Sequence, residues 1–169
     1  MVAFTFRMPA GIPGAVNRVN DATVEAQVLS ATNYPTTYGV GLAMDAATGT
    51  VRLPAAADTA IYGLYVRPYP THSSQDPLGV STPPTPPVAG AFGTPVANVL
   101  RRGYMTVQLM GATPAVKGAQ AYVWIAAAAG GQVPGGITAV NTAGSSLPLP
   151  GVFMGPADPT GNTEVALNI

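Results

Sequence analysis

The chain has 169 residues and no net charge, and only 8% of its positions are charged, against roughly 25% in an ordinary soluble domain. Its length fits one domain, and the absence of cysteine excludes disulfides and thiolate metal sites. Seven scattered Lys and Arg form no basic stripe, which argues against binding to nucleic acid. No stretch predicts a membrane helix or a signal peptide. Because 47% of the residues are hydrophobic, we expect other protein subunits to cover much of the surface.

Residues 1–22 are predicted to form an extended N-terminal arm. Pro9, Gly11, Pro13 and Gly14 lie close together and oppose regular structure. Fully extended, 22 residues reach roughly 70 Å, whereas a domain of this size has a radius of gyration near 15 Å. The arm is therefore long enough to reach a neighbouring molecule.

Short strands joined by turns are predicted after the arm, because Val, Thr, Tyr and Gly are plentiful and Pro interrupts any long helix. In Thr23–Leu29, apolar Val24, Ala26 and Val28 alternate with polar side chains. The turn at 46–49 predicts a hairpin between Gly39–Asp45 and Thr50–Pro54. The next strand is predicted at Ile61–Pro68.

Residues 68–96 are predicted to form a long Pro-rich loop, since eight prolines lie within 29 residues. A loop of this length is normally functional or disordered, and we expect it to contact a partner. Together the arm and the loop flank or interrupt a single β domain, residues 23–169.

The remaining strands are predicted from the same alternation of apolar and polar residues. Arg101 and Arg102 are expected to separate two of them, either as a solvated strand edge or in an inter-subunit salt bridge. The predicted segments are Val96–Leu100, Gly103–Met110, Ala119–Ala126, Ile137–Asn141, Gly151–Pro156 and Thr163–Asn168. Nine or ten short strands predict an all-β fold, a β-sandwich, jelly roll or barrel-like domain.

The sequence offers little catalytic chemistry. His72 is the only histidine and lies in the Pro-rich loop, where a solvated side chain is the simplest interpretation. The seven Asp and Glu show no metal-ligand spacing, and no phosphate-binding glycine loop is present. We therefore expect no cofactor, no metal and no enzymatic activity.

The best interface candidates lie in the arm and the loop, because apolar residues outside a core need a groove to fill. Arg101 and Arg102 join them as the only cation pair. The full set is Phe4, Phe6, Arg7, Met8, Pro9, Ile12, Tyr69, Pro83, Pro84, Pro86, Pro87, Arg101 and Arg102.

Three stretches resemble the structural cement proteins that decorate the capsids of tailed bacteriophages. They are FTFRMPAGIPGAVNR with the following TVEAQVL, residues 47–70, and residues 101–124. The resemblance implies a non-enzymatic virion protein, made in the host cytoplasm, that binds the capsid exterior. It also implies clamping of neighbouring major capsid protein subunits of an HK97-like shell, with the cement protein acting as a homodimer or homotrimer.

Two other functions remain open from the sequence alone. One is a head-fibre or receptor-binding module, which would bind a sugar or a host protein through an exposed groove. The other is a virion-associated hydrolase, which would need carboxylates that are distant in sequence to meet in space. The sparse charge and the long apolar arm favour the cement function.

Overall fold

The computed structural model describes residues 11–67 and 96–169, and these residues contain nine β-strands. The strands are β1 Thr23–Val28, β2 Gly41–Asp45, β3 Thr50–Arg52, β4 Gly63–Tyr65, β5 Val96–Met110, β6 Gln120–Trp124, β7 Ile137–Thr138, β8 Ser146–Phe153 and β9 Asn162–Leu167. A 3₁₀ turn at Val19–Asp21 precedes β1. None of the described residues belongs to a helix long enough to cross a membrane. The predicted all-β class is confirmed.

Five strands close into a barrel. The C-terminal half of β5 pairs with β9 on one side and with the short parallel strand β7 on the other. β7 continues to β6, β6 to β8 and β8 to β9, which returns to β5. The side chains that fill this barrel include Met105, Val107, Val123, Phe153 and Val165, each fully buried.

The other four strands form an outer sheet with the N-terminal half of β5. Its order is β1-β5-β4-β2-β3, and all of its strand pairs are antiparallel. The sheet curls until Leu29, just after β1, forms a bridge with Val51 of β3. A second core lies inside the curl and comprises Leu29, Tyr38, Val40, Leu42, Val51, Tyr65, Ala97 and Val99.

Gly103 is the point at which β5 passes from the outer sheet to the barrel. Residues before it pair with β1 and β4, and residues from Gly103 onward pair with β9. Its backbone φ of +131° is one that residues other than glycine rarely adopt. A Cβ atom there would also lie 3.0 Å from the Cα of Ala22. One strand can serve two cores because this position carries no side chain.

The strand predictions agree with the structure in location, with two differences: β8 begins at Ser146 rather than at Gly151, and β5 has no break. The hairpin at 46–49 is confirmed: the Asp45 carboxylate accepts hydrogen bonds from the Ala47 N–H and the Thr48 hydroxyl, and Gly49 has a φ of +67°. The predicted break at Arg101 and Arg102 is wrong, because both residues lie within the continuous strand β5. That strand has neighbours on both sides, so the arginine pair marks neither a strand end nor a sheet edge.

A Gly103→Ala substitution should lower the free energy of unfolding by about 2 kcal/mol or more, because backbone strain and a steric contact with Ala22 add together. Gly144→Ala is the matched control, since Gly144 also has positive φ (+73°) but no atom within 4 Å of its Cβ position. The control should lose only about 1 kcal/mol. Equal losses in denaturant unfolding would contradict the role given to the close approach.

Candidate interaction surface

The described part of the N-terminal arm lies along β5. The Gly14 N–H donates to the Thr106 carbonyl at 2.8 Å, and the Thr106 N–H donates to the Ala15 carbonyl at 3.0 Å. The Asn17 N–H donates to the Tyr104 carbonyl, also at 3.0 Å. Residues 14–17 therefore add to β5 on the side opposite β9, and this part of the arm belongs to the folded domain.

Gly14 fits into a space that no other residue could occupy. It has a φ of +85°, and a Cβ atom on it would lie 2.5 Å from the Cβ of Tyr38. Its carbonyl accepts a hydrogen bond from the Arg67 N–H at 2.8 Å, and the carbonyl of Pro13 accepts one from Arg67 Nε at 3.1 Å. The last described residue before the Pro-rich loop is thus bonded to the arm.

The two ends of the Pro-rich loop are also neighbours. β4 and β5 are antiparallel, and the Val66 N–H donates to the Asn98 carbonyl at 2.8 Å. The described chain therefore stops at Arg67 and resumes at Val96 in adjacent strand positions. We call Pro13, Gly14, Val66, Arg67 and Asn98 the segment junction. The described ends Gly11, Arg67 and Val96 all lie in this junction or within two residues of one of its members.

Charged side chains fix the arm to the barrel. The Arg18 guanidinium lies 3.8 Å from the centre of the Tyr104 ring, and its Nη2 is 3.7 Å from the Glu164 carboxylate. Asn17 Nδ2 donates to the same carboxylate at 2.9 Å. Stacking and ion pairing therefore add to the packing of Val16 against the barrel core in holding this segment.

A second cluster of the same composition lies on the outer sheet. The Arg101 guanidinium is 3.7 Å from the centre of the Tyr62 ring, and its Nε is 3.6 Å from Glu25 Oε2. The Tyr62 hydroxyl donates to Glu25 at 2.6 Å and accepts from Gln27 at 2.9 Å. The hydrogen bond to Glu25 is the main reason why the pKa of Tyr62 is raised. The side chains of Glu25 and Gln27 of β1 thus point toward Tyr62 on the inner side of the outer sheet.

A shallow groove of about 330 Å³ borders this cluster, and its charged side chains, Asp58 and Arg101, are both ion-paired within the chain. Its lining includes Asp58, Tyr62 and Arg101. Asp58 forms a bidentate salt bridge with Arg52, at 2.7 and 2.8 Å, and this pairing is the main cause that lowers the pKa of Asp58. Among residues 11–67 and 96–169, no three His, Asp or Glu side chains meet as a metal site would require.

The structure describes three of the thirteen predicted interface residues. Ile12 is exposed beside the segment junction, Arg101 is engaged within its own chain as above, and Arg102 is exposed. The others, Phe4, Phe6, Arg7, Met8, Pro9, Tyr69, Pro83, Pro84, Pro86 and Pro87, lie outside the described residues, as does His72.

The segment junction is the feature that sequence reasoning missed. Glycines and prolines at 9–14 indicated only irregular structure, and Arg67 carried no signal at all. The pairing of Gly14 with Arg67 depends on contacts across 53 positions of the chain, and local patterns do not encode such contacts.

The family model of the XM1 gp53 minor capsid protein matches residues 1–167 of this chain. This chain belongs to the XM1 gp53 minor capsid protein family. A chain of the solved structure "The capsid of Myoviridae Phage XM1" has a similar fold, with a TM-score of 0.68 and 20% sequence identity over 98% of this chain and 94% of that one. No curated protein matches. The predicted resemblance to phage capsid proteins is confirmed, and the protein is a structural component of a virion.

Arg101→Leu should lower the free energy of unfolding by about 1 kcal/mol, because it removes the stacking on Tyr62 and the ion pair with Glu25. The neighbouring variant Arg102→Leu makes the same chemical change at an exposed position and should stay within about 0.5 kcal/mol of the wild type. Denaturant unfolding of both variants measures the difference. Similar values for the two would show that the Arg101 cluster does not stabilise the fold.

Proposed function

We propose that this protein cements the capsid: it binds the outer surface of an icosahedral shell and links neighbouring major capsid protein subunits. The observation that carries the proposal is the segment junction. The described chain begins at Gly11, two residues before Pro13, and it stops at Arg67, whose N–H is bonded to the Gly14 carbonyl. Residues 1–10 and 68–95, which contain most of the predicted interface residues, are therefore attached to the domain at one place, where they could bind the same partner surface together.

The distribution of charge supports this function. Arg18, Arg52 and Arg101 are paired with carboxylates of the same chain, and Arg67 donates to the arm. In residues 11–67 and 96–169, few charges are left to attract a partner or to be screened by salt. Attachment therefore depends on apolar contacts, and fully burying one Phe contributes about 1.5–3 kcal/mol before the cost of ordering the segment.

Binding through two segments also explains how a small protein could hold a shell together. Once one segment is bound, the other is confined near its own site, so its effective concentration is high. Cooperation between copies, as a homodimer or homotrimer on an HK97-like shell, would raise the overall affinity further. Neither segment needs a large contact of its own.

Removal of residues 1–10 should weaken binding to shells that lack this protein by at least about tenfold, with little change in the Tm of the free protein. The truncation ends at residue 10 because Pro13 and Gly14 are bonded to the domain. A full-length variant carrying Phe4→Ser and Phe6→Ser tests whether the side chains rather than the length of the arm matter. Co-sedimentation with shells measures binding.

The salt dependence of the wild type completes the experiment, since apolar attachment should resist moderate ionic strength. Wild-type binding by the truncated protein would contradict the role of the arm. Release of the intact protein by moderate salt would contradict the apolar nature of the contact.

A further inference from the structure

Four exposed apolar side chains lie on one face of β1 and β5 in the outer sheet, with the exposed polar side chain of Asn98 beside them. Val24, Ala26 and Val28 occupy one face of β1, and Val96 of β5 lies directly opposite Val28. Val24 is 44% exposed, Val28 is 37% exposed and Val96 is 58% exposed. We call these four residues the β1 face. Single exposed valines are common, but a run of them across two paired strands is typical of an interface.

The orientation of β1 is the reverse of what its alternation would ordinarily produce. Its polar residues Glu25 and Gln27 are turned toward Tyr62 and are hydrogen-bonded there, while its apolar residues face outward. A strand with one apolar face normally buries that face. The fold therefore uses the Glu25 cluster to hold the apolar side of β1 outward, where only another molecule or another segment can cover it.

The main chain of β1 is open along the same stretch. The Asn98 carbonyl accepts its hydrogen bond from the N–H of Val66, the residue after β4, so the backbone polar groups of Asn98 face away from β1. In an antiparallel pair both partners then point outward, which directs the N–H and C=O of Ala26, opposite Asn98, to the free edge. In the described part of the chain, the first pairing along this edge is the bridge of Leu29 with Val51.

We propose that an extended, uncharged segment of the shell subunit adds to the edge of β1 and lies over the β1 face. This inference rests on the proposed function and names its second contact. The position of Val96 supports the choice of partner. Val96 is the first described residue after the Pro-rich loop, and it is also a member of the β1 face. A surface held by residues 68–95 would therefore lie next to this face.

The chemistry of the site specifies the segment. The β1 face has no charged side chain, so the partner residues that cover it are apolar. The open edge offers the main-chain groups of Ala26 and Val24, which suits a short added strand. Pairing with a main chain does not depend on the partner's side chains, whereas the apolar face selects for them.

The test introduces a positive or a negative charge into the β1 face and includes a matched control. Val28→Lys with Val96→Lys, and separately Val28→Glu with Val96→Glu, should each weaken binding to shells that lack this protein by about tenfold or more, because either charge loses its hydration in an apolar contact. Val116→Lys with Val133→Lys introduces the same charge at valines that are 61% and 40% exposed elsewhere, and it should bind as the wild type does.

Ala26→Pro tests the strand edge. Its N–H faces the open edge, so the substitution should leave the free protein folded while it prevents a partner strand from pairing there. Shell binding should fall for Ala26→Pro, with a small change in Tm. Wild-type binding by this variant would overturn the added strand.

The remaining outcomes also decide the matter. If the two charged double variants bind shells normally while the truncation of residues 1–10 does not, the inference fails and the proposed function stands. If both kinds of variant bind normally, both fail. If the charged variants instead shift the sedimentation of the free protein, a second copy covers the β1 face; if they lower the Tm, the chain's own segments cover it. Either result overturns the inference.

Discussion

The whole structure depends on one strand that belongs to two cores. β5 contributes Ala97 and Val99 to the core of the outer sheet, and Met105 and Val107 to the barrel. It also pairs with the arm through Tyr104 and Thr106. The two cores are therefore joined by the continuous backbone of β5. Directional hydrogen bonds to the neighbouring strands hold this backbone in place. The bend at Gly103 makes this arrangement possible.

The few charges of this chain are used largely within the chain itself. In a chain with 14 charged residues, Arg18, Arg52 and Arg101 are paired with acids of the same protein, and two of the three also stack on tyrosine rings. These groups fasten the arm and the rim of the outer sheet. Outside these groups the described residues carry few charges, so electrostatic repulsion is weak, as the proposed attachment to neighbouring subunits requires.

Much of the architecture could be predicted because it depends on local signals. Alternation located the strands, and Asp45 with Gly49 located a hairpin whose hydrogen bonds lie within five residues. The continuity of β5 through Arg101 could not be predicted, because two adjacent charges ordinarily mark an exposed break. Here Arg101 is satisfied by Tyr62 and Glu25, which lie 39 and 76 positions away along the chain.

Which face of β1 is exposed could not be predicted from the sequence for the same reason. Alternation shows that a strand has two unlike faces, but packing decides which one is buried. Only the position of Tyr62 reveals that Glu25 and Gln27 point inward. The segment junction likewise depends on Gly14 meeting Arg67. Sequence patterns thus predicted the elements and the class of protein, whereas the surface proposed to face a partner follows from long-range contacts.

The most direct test of the account is a reconstruction by electron cryomicroscopy of the phage capsid carrying this protein. The account predicts that the segment junction and the β1 face point toward the shell, with Gly14, Arg67 and Val96 on the shell side of the domain. It further predicts density for residues 1–10 on a shell subunit. A reconstruction in which the barrel faces the shell and the segment junction points to solvent would contradict it.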